Sequence, residues 1–455
     1  MASGPSDGLG TAPAPEQLRC LLITHNVCGI FDHMDDALPV WVKELQALVA
    51  EQAADFVALH LQEVGGEEWK SGELRLDRFM QALDAGFAAT EFWSSGLMLL
   101  TDTHPRRYTA LGSIYLVRRT ALHRVRLWHF GGVAGSEAGF RSLDGLPSPL
   151  LGAPELPAAY ARHERFDQTF FPEYPEWSRK GYMHTRWRLG DTSCDLLNVH
   201  FFHDHCNIGA LQRGAERPAL STYARSRQKA LLHTMRSVQT EAQEFWGTAP
   251  PATFVLGDYN FRLDLVQVIA HLCGADGLAQ AMELTKESAP LRIPLVPGAD
   301  ASDARPGGKA KKKEAAAAGA DGEPPSLLLA GKKCVLADYA PLLHDHETWR
   351  AFDVELNEYR QVAPTPLLEL PLAFPPSYMR TPVKPATPDA APGPADPSQL
   401  QYGPKRCPSW CDRVMMDAAG LELVTGARAN ATYDSQLWLP CYSDHIKVYL
   451  GFSCA

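Results

Sequence analysis

The sequence predicts an α/β protein in which two mixed β-sheets pack face to face beneath covering helices. Two observations indicate this fold class: apolar strand-like runs alternate with amphipathic helical segments, and several runs are separated only by short hairpin-like connections. Many of the runs are apolar at successive positions, so both faces of those strands must be buried. We therefore expect a layer of helices on each side of the paired sheets.

Strands and helices alternate along the first half of the chain. Trp41, Leu45 and Leu48 fall on one face of a segment that begins near Pro39, which is typical of an amphipathic helix. The elements predicted here are a strand at 18–27, a helix at 39–54, a strand at 55–64, a helix at 77–90, a strand pair formed by 109–118 and 123–130, and a hairpin formed by 182–189 and 194–202.

The second half contains regular elements and two segments of biased composition. Residues 286–333 include Lys- and Ala-rich low-complexity stretches and 379–404 is rich in proline, so we expect a flexible insertion and a surface loop. We expect a disordered N-terminus at 1–16 and a single domain at 17–455 that carries both loops. The other elements predicted are a helix at 225–246, a strand at 253–262, a short helix at 268–272, and strands at 412–417, 421–426 and 445–452.

The composition is that of a globular protein with a net negative charge. The chain has 455 residues, 45% of them hydrophobic, so it has enough apolar side chain to build a large core. The net charge of -10 argues against general attraction to nucleic acid or anionic lipid. No apolar run approaches the roughly 20 residues that a membrane-spanning helix requires. An anionic partner would therefore be held by a local basic cluster.

The cellular location predicted from the sequence is the cytoplasm. The N-terminus lacks the basic and apolar regions of a signal peptide, and the cysteines form no C-x-x-C pair, so we expect reduced thiols. The sequence stops at Cys454 and Ala455, directly after the last predicted strand, without a C-a-a-X prenylation box. We therefore expect no stable membrane anchor.

Polar side chains of related chemistry stand at the ends of the predicted strands. Such residues suit a Mg²⁺-assisted phosphoryl transfer, because a carboxylate holds the hard cation and an acidic or imidazole group accepts a proton from water. Amide and imidazolium donors stabilise the charged phosphoryl oxygens. The residues concerned are Asn26, Glu63, Asn198, His200, Asp258, Asn260, Asp412, Arg413, Asp444 and His445.

Each of these residues alone has an ordinary structural explanation. A strand-end glutamate such as Glu63 is commonly a solvated surface charge, and an Asp-His pair such as 444–445 is commonly a surface or capping pair. The sequence Gly-Asp-Tyr-Asn at 257–260 is typical of a turn. The functional interpretation depends on their joint occurrence in this order along the chain.

Several blocks of the sequence resemble the inositol polyphosphate 5-phosphatases of the endonuclease/exonuclease/phosphatase superfamily. The matching blocks are ALHLQEVGG (58–66), WSRKGYMHTRW (177–187), LLNVHFFHD (196–204), GDYNFR (257–262), FPPSY (374–378) and PSWCDRV (408–414). GDYNFR and PSWCDRV resemble the two signature motifs of the family, and the first three blocks resemble its type I enzymes. The resemblance implies a DNase I-like four-layer sandwich, with two mixed sheets flanked by helices.

The resemblance implies a role for each residue that stands at a strand end. Glu63 would be the Mg²⁺ ligand, with Asn26 supporting the metal site. Asp258 would orient or deprotonate the attacking water, and Asn260 would donate to the phosphoryl oxygens.

Three histidines are implied at the substrate. His445, oriented by Asp444, and His200 would contact the 5-phosphate, and a buried structural histidine is the ordinary alternative for His200. The role of His203 is open between substrate contact and support of the site.

A substrate with several phosphates requires cationic side chains, in which arginine makes bidentate contacts and lysine acts as a compact charge. If the strand is continuous, Lys180, Arg186 and Arg188 share one face, although Arg188 is more commonly a solvated edge charge. Tyr378 and Lys405 are weaker candidates for flanking the pocket. The predicted substrate-binding residues are Arg179, Lys180, Arg186, Arg227, Lys229, Arg262 and Arg413, together with His203.

The activity implied is Mg²⁺-dependent hydrolysis of the 5-phosphate of soluble inositol 1,4,5-trisphosphate, and of inositol 1,3,4,5-tetrakisphosphate, by in-line attack of water. This activity would terminate an inositol trisphosphate calcium signal. Alternatives are a lipid 5-phosphatase of the same family, another hydrolase of the superfamily, and an inactive scaffold that binds inositol phosphates. An intact set of water-activating residues argues against the scaffold.

The chain departs from the family pattern at two places. Ile446 and Lys447 follow the Asp-His pair, where the family has a basic residue and then proline, so a phosphate contact made there would be lost or shifted. Type I relatives end in a prenylation box and would be peripheral membrane proteins, whereas this sequence shows no such box.

Overall fold

Two seven-stranded β-sheets form the centre of the structure, within the residues that this computed structural model describes. Those residues are 17–66, 72–88, 91–101, 110–131, 137–146, 159–172, 180–214, 217–246, 250–285, 287–296, 326–336, 346–383, 393–395, 401–426 and 429–454. The predicted disordered N-terminus at 1–16 lies outside them, as does much of the Pro-rich loop predicted at 379–404.

Regular structure accounts for most of the described chain. The strands are β1 (Leu18–Asn26), β2 (Phe56–Val64), β3 (Phe92–Ser94), β4 (Met98–Thr101), β5 (Ala110–Arg118), β6 (Val125–His129), β7 (Gly139–Ser142), β8 (Arg162–Arg165), β9 (Gly181–Leu189), β10 (Thr192–His200), β11 (Arg213–Gly214), β12 (Arg217–Ser221), β13 (Ala252–Asp258), β14 (Leu291–Pro294), β15 (Ser326–Ala330), β16 (Lys333–Leu336), β17 (Gly393–Pro394), β18 (Asp412–Met416), β19 (Thr432–Gln436), β20 (Trp438–Leu439) and β21 (Lys447–Cys454). The helices are α1 (Cys28–Asp32), α2 (Met34–Glu51), α3 (Gly72–Leu83), α4 (Asn207–Leu211), α5 (Thr222–Trp246), α6 (Leu265–Met282), α7 (His346–Arg350), α8 (Glu355–Arg360) and α9 (Ala418–Thr425). Within this described part, no helix combines the length and apolarity needed to cross a membrane.

Each large sheet contains a parallel strand pair among antiparallel neighbours. The first sheet has the order β19-β21-β1-β2-β5-β3, with β4 also paired to β5. The second has the order β18-β13-β10-β9-β6-β7, with β8 also paired to β9. The parallel pairs are β1 with β2 and β10 with β13, so both sheets are mixed as predicted.

The two sheets pack against each other through a continuous apolar core. Leu22 and Phe56 of the first sheet share this core with Trp187 and Leu256 of the second, and all four side chains are buried. The Phe56 and Trp187 rings make a T-shaped contact, with centroids 5.1 Å apart. Burial of such side chains contributes about 1.5–3 kcal/mol each, so this interface is a substantial source of stability.

Helices cover the outer face of each sheet. Trp41 of α2 packs with Ile23 on the outer face of the first sheet, as the predicted apolar stripe of that helix requires. Leu231 of α5 packs with Val255 on the outer face of the second sheet. The layers are therefore helix, sheet, sheet and helix, which confirms the predicted four-layer α/β sandwich.

One predicted strand pairing is wrong. Residues 110–118 and 125–129 are both strands, but β5 pairs with β2, β3 and β4 in the first sheet, whereas β6 pairs with β7 and β9 in the second. A 3-10 turn, Arg119–Arg124, joins them. The connection is short because the sheets lie face to face, so the chain crosses between layers instead of forming a hairpin.

Two helices also differ from prediction. Residues 421–425 of the segment predicted as a strand at 421–426 belong to helix α9, and Asp417 caps that helix by accepting a hydrogen bond from the Gly420 backbone N–H (2.8 Å). The short helix predicted at 268–272 is part of the longer α6, which is kinked at Gly274 with a φ of 70°. Glycine tolerates this left-handed conformation without the steric cost of a side chain.

The predicted flexible insertion at 286–333 has the wrong bounds. Strands β14, β15 and β16 from its two flanks form a three-stranded antiparallel sheet. Ile293, Leu327 and Leu329 are buried in a core shared with α6. The biased composition of the intervening residues concealed these short apolar strands, and 297–325 lies outside the described residues.

Candidate active site

The strand-end residues converge on one edge of the sandwich. In the first sheet β1 ends at Asn26, which pairs in register with Gln62, and Glu63 follows on β2. In the second sheet β10 ends at His200, directly opposite Asp258 at the end of β13. The Asn26 side-chain amide donates to Asp258 Oδ2 (3.3 Å), so the ends of the two sheets meet there.

The antiparallel neighbours of these strands begin at the same edge. Strand β18 starts at Asp412, opposite Asp258. Strand β9 runs antiparallel to β10, so Lys180, which precedes β9, lies beside the end of β10. His445 precedes β21, which runs antiparallel to β1. Strand direction and register therefore assemble the site from distant parts of the sequence.

Asp258 lies buried at the centre of this cluster. Its Oδ1 accepts a hydrogen bond from the backbone N–H of Asn260 (2.8 Å). Its Oδ2 lies 3.2 Å from His200 Nε2 and 3.9 Å from His445 Nε2. Burial alone would raise the pKa of Asp258, but His445 and His200 hold it well below its usual range. Asp258 is thus an ionised acceptor between two imidazoles.

His445 is oriented by Asp412. The His445 Nδ1 lies 2.8 Å from Asp412 Oδ2, and the Ser377 hydroxyl donates to the same carboxylate oxygen (2.7 Å). The predicted orienting role of Asp444 is therefore wrong. Side chains adjacent in sequence leave the backbone in different directions, whereas Asp412 approaches the imidazole from a strand of the opposite sheet.

The surroundings of His445 favour its charged form. Burial on its own would lower the pKa of His445, but Asp412 and Asp258 outweigh it and raise the pKa to about 10. The Tyr378 ring lies against the imidazole, with centroids 4.4 Å apart. His445 is therefore placed as a cationic hydrogen-bond donor with its Nε2 toward Asp258.

Lys180, His200 and Glu63 form the other side of the cluster. The Lys180 Nζ lies 2.6 Å from His200 Nε2 and 3.8 Å from Glu63 Oε1. The His200 Nε2 lies 3.7 Å from the same Glu63 oxygen. These three predicted residues therefore share one site with Asp258.

Two groups of side chains offer donor atoms that fit a divalent metal. Glu63 follows Gln62, the register partner of Asn26, and presents a partly exposed carboxylate, which is the type of ligand that Mg²⁺ prefers. Asp258, Asp412 and His445 form a second group, in which one ligand atom of each lies within 4.8 Å of the others. In that group the His445 Nδ1 already faces Asp412, so a metal there would compete with the pair. Glu63 offers an oxygen ligand outside that pair, and its Oε1 faces the Lys180 ammonium at 3.8 Å.

The backbone is left-handed at two residues of the site. Glu63 has a φ of 58° and Asn260 a φ of 52°, a conformation that non-glycine residues rarely adopt. The Asn260 side-chain amide donates to the Phe201 carbonyl (3.1 Å), and its Oδ1 accepts a hydrogen bond from Arg262. Such backbone strain is concentrated at functional sites, where surrounding contacts maintain it.

Arg262 is the second cation that the structure brings to this edge. Its guanidinium lies over the Tyr378 ring, 4.3 Å from the centroid. The side chain is buried, and among the described residues its Nε and Nη1 have no hydrogen-bond partner. A buried guanidinium with open donors favours an anionic ligand, since unpaired buried polar groups are costly. This environment fits the predicted contact with substrate.

Arg186 does not reach the site, so its predicted role is wrong. A strand rises about 3.3 Å per residue, which places Arg186 roughly 20 Å along β9 from Lys180. Its Nε donates to Asp195 Oδ1 (2.6 Å) and its Nη2 to Asp195 Oδ2 (3.1 Å), and the ion pair is buried. His184 Nε2 lies 3.0 Å from the same carboxylate.

Arg227 and Arg413 are also buried in structural ion pairs. Arg227 Nη2 donates to Glu355 Oε1 (2.6 Å), and its Nη1 donates to Asp204 Oδ1 (2.6 Å). Arg413 Nη1 donates to Asp353 Oδ2 (2.7 Å), and its Nε donates to a second carboxylate. Carboxylates therefore satisfy both guanidiniums, and the prediction that they bind substrate is wrong.

Two of the remaining candidates, Lys229 and His203, lie at or beyond the rim. Lys229 is exposed on α5, where its Nζ donates to a backbone carbonyl (3.0 Å), so it is not in the site. His203 is exposed and lies beside the cluster, where desolvation together with the charges of Lys180 and Arg262 lowers the pKa of its imidazole well below its usual value. Arg179 lies outside the described residues.

Sequence reasoning did not single out Ser377, and it did not assign the orienting role of Asp412. Ser377 holds Asp412, and Asp412 rather than Asp444 holds His445. Both Ser377 and Asp412 belong to blocks that were matched to the family, FPPSY and PSWCDRV. Their position in these blocks is the signal in the sequence that could have identified them as site residues.

Comparison with solved structures gives weak overall similarity. The inositol polyphosphate 5-phosphatase domain of SPsynaptojanin, in complex with inositol (1,4)-bisphosphate and calcium, has a TM-score of 0.46 at 12% identity, over 96% of this chain and 84% of that chain. Cimex nitrophorin has a TM-score of 0.47 at 11% identity, over 97% of this chain and 99% of that one. No family model matches the chain.

Sequence relatives give a full-length match. The probable type I inositol 1,4,5-trisphosphate 5-phosphatase of Caenorhabditis elegans is 26% identical over 96% of this chain and 100% of that protein. The inositol polyphosphate-5-phosphatase A of Homo sapiens is 30% identical over 460 residues, which cover 97% of this chain and 95% of that protein. With this identity across both chains and a converged Asp258–His445–Asp412 site, the chain belongs to the inositol polyphosphate 5-phosphatase family and is a phosphatase.

Proposed function

We propose that this phosphatase hydrolyses the 5-phosphate of soluble inositol 1,4,5-trisphosphate and of inositol 1,3,4,5-tetrakisphosphate, with Mg²⁺ as cofactor. The observation that carries the proposal is the ionised Asp258 carboxylate between His200 and His445, at an edge that also holds Glu63. The name of the Caenorhabditis elegans relative, which specifies inositol 1,4,5-trisphosphate, supports the choice of substrate.

The geometry supports direct attack by water. Asp258 orients a water molecule and accepts its proton while the new P–O bond forms and the bond from phosphorus to the inositol 5-oxygen breaks. His445, held by Asp412, donates from Nε2 to a phosphoryl oxygen. Mg²⁺ bound at Glu63 would neutralise charge on the phosphoryl group. The departing 5-oxygen takes up a proton from solvent water and becomes a hydroxyl, and Asp258 returns its proton to solvent.

Two cations support recognition of a polyanionic substrate. Lys180 and Arg262 both lie at the active-site edge, and two guanidinium nitrogens of Arg262 have no hydrogen-bond partner within the part of the chain that the structure describes. A compact ammonium and a planar guanidinium together suit phosphates at different positions of one inositol ring. The predicted substrate clamp is thus smaller than sequence reasoning indicated.

The test is phosphate release from a substrate panel, measured with Mg²⁺ and with excess chelator. We expect release from inositol 1,4,5-trisphosphate and 1,3,4,5-tetrakisphosphate with Mg²⁺ alone, and none from inositol 1,4-bisphosphate. Faster release from short-chain phosphatidylinositol 4,5-bisphosphate would favour a lipid phosphatase. Asp258→Asn is the matched inactive control, and binding of the trisphosphate by wild type without release would identify a scaffold.

We propose that hydrolysis of the trisphosphate ends an inositol trisphosphate calcium signal and that the enzyme acts in the cytoplasm. The ten cysteines all lie in the described residues and are unbridged, which is consistent with a reducing compartment. Fractionation of cells that express the chain, with fractions assayed for trisphosphate hydrolysis, tests this location. Recovery of the activity in the culture medium would contradict it.

A further inference from the structure

The Lys180 ammonium lies inside the acidic cluster rather than at its rim. Its Nζ is 3.8 Å from Glu63 Oε1 and 2.6 Å from His200 Nε2, and the residue is only 8% exposed. The same positive charge acts on Asp258. Lys180 therefore balances the carboxylates of the site at close range.

A divalent cation bound at Glu63 would need the same negative charge that Lys180 now balances. Two cations within a few ångströms of one carboxylate repel each other strongly, because the partly buried site screens charge less than bulk water. Glu63 cannot serve both fully, since its Oε1 already faces the ammonium. The lysine and the metal are consequently alternatives at Glu63.

We propose that Lys180 is a displaceable internal counter-ion, which occupies the metal's electrostatic place at Glu63 and moves away from it when the metal binds. The inference rests on the proposed metal dependence at Glu63. Displacement frees the ammonium to contact a substrate phosphate, so metal binding and substrate binding support each other. By linkage, a substrate that attracts Lys180 away from Glu63 raises the affinity for metal by the same factor.

The test measures metal affinity directly, with Mn²⁺ as the probe and the electron paramagnetic resonance signal of free Mn²⁺ as the readout. Lys180→Met removes the charge and retains a long side chain. We expect this variant to bind Mn²⁺ about tenfold more tightly than wild type, because no ammonium competes with the metal at Glu63. Lys43→Met removes an exposed lysine of α2 and should leave the affinity unchanged.

Lys180→Arg retains the positive charge and should bind Mn²⁺ within twofold of wild type. Thermal unfolding of each variant verifies that it is folded at the temperature of the titration. Equal or weaker Mn²⁺ binding by folded Lys180→Met overturns the inference while leaving the proposed metal dependence intact. Absence of Mn²⁺ binding by wild type overturns the proposed metal dependence, and the inference with it.

Discussion

Asp412 Oδ2 lies 2.8 Å from His445 Nδ1, although the two residues are 33 positions apart in the sequence. The Asp444 carboxylate also raises the pKa of His445, but less than Asp412 and Asp258 do, and the Asp444 backbone carbonyl accepts a hydrogen bond from the Arg380 backbone N–H (2.7 Å). A buried carboxylate at Nδ1 fixes the orientation of the imidazole and leaves Nε2 to face Asp258. The positioning of His445 therefore depends on contact between the two sheets.

Asp412→Asn should lower kcat by about 10²–10⁴-fold with little change in KM, since an amide cannot stabilise the charged imidazole that meets the transition state. The matched variant is Asp444→Asn, which alters the sequence neighbour and should lower kcat less than tenfold. Steady-state phosphate release from the trisphosphate provides both constants. A larger loss in Asp444→Asn than in Asp412→Asn would restore the sequence-based assignment.

Glu63→Gln should raise the Mg²⁺ concentration needed for half-maximal activity by at least tenfold and should also lower kcat. The amide keeps the size of the side chain but removes the charge that holds a hard cation. Rates measured over a Mg²⁺ titration test this expectation, with Glu164→Gln, a surface carboxylate paired with His233, as the control. Full wild-type activity in excess chelator would contradict it.

Arg186→Met should destabilise the fold by about 3–5 kcal/mol without raising KM, because it breaks a fully buried ion pair and leaves Asp195 without its bidentate partner. Denaturant unfolding measures the free energy, and kinetics at low temperature measure KM for the folded fraction. A severalfold rise in KM with unchanged stability would instead support the predicted role of Arg186 in binding substrate.

The free energy of unfolding should decrease as pH rises, because His184 loses its proton. Burial alone would lower the pKa of His184, but Asp195 and Glu241 outweigh burial and raise it above its usual value. A raised folded-state pKa stabilises the protein below the unfolded value of about 6.5, and this contribution disappears as pH rises through the folded pKa.

The stability difference between wild type and His184→Gln should therefore shrink as pH rises from 6 to 9. Urea unfolding of both proteins at each pH provides the difference, and other titrating groups cancel to the extent that the variant leaves them unaltered. A difference that stays constant across this range would show that His184 does not titrate there.

The sequence predicts that the strand-end residues meet at one edge of the fold. It does not predict which carboxylate pairs with which basic side chain. Asn26, Glu63, His200 and Asp258 each end or nearly end a strand, and parallel strands place their carboxyl ends at one edge. Strand parity placed Arg186 on the face of Lys180, but parity carries no information about distance along the strand. Which carboxylate meets an arginine is decided by tertiary packing, which a single sequence does not display.

The fold shows the same limit. The apolar run at 18–27 is sufficient to predict a strand there. The pairing partner of the strand at 123–130 cannot be predicted in the same way, because it depends on which of the two sheets each strand joins. The helix α9 was missed because its apolar residues outweighed a local signal, the capping aspartate Asp417. Its side chain accepts from a backbone N–H three residues later, which is a recognisable helix start.

Because the backbone at Glu63 is left-handed, the residue that would be most stable at this position differs from the residue that catalysis is proposed to need. Glycine at this position would relieve a steric cost of about 1–2 kcal/mol, yet it would remove the proposed metal ligand. Laboratory evolution that screens only for thermal tolerance should therefore drift toward inactive variants here. A catalytically competent lineage must retain the strain and acquire its tolerance elsewhere, for example in the apolar interface between the two sheets.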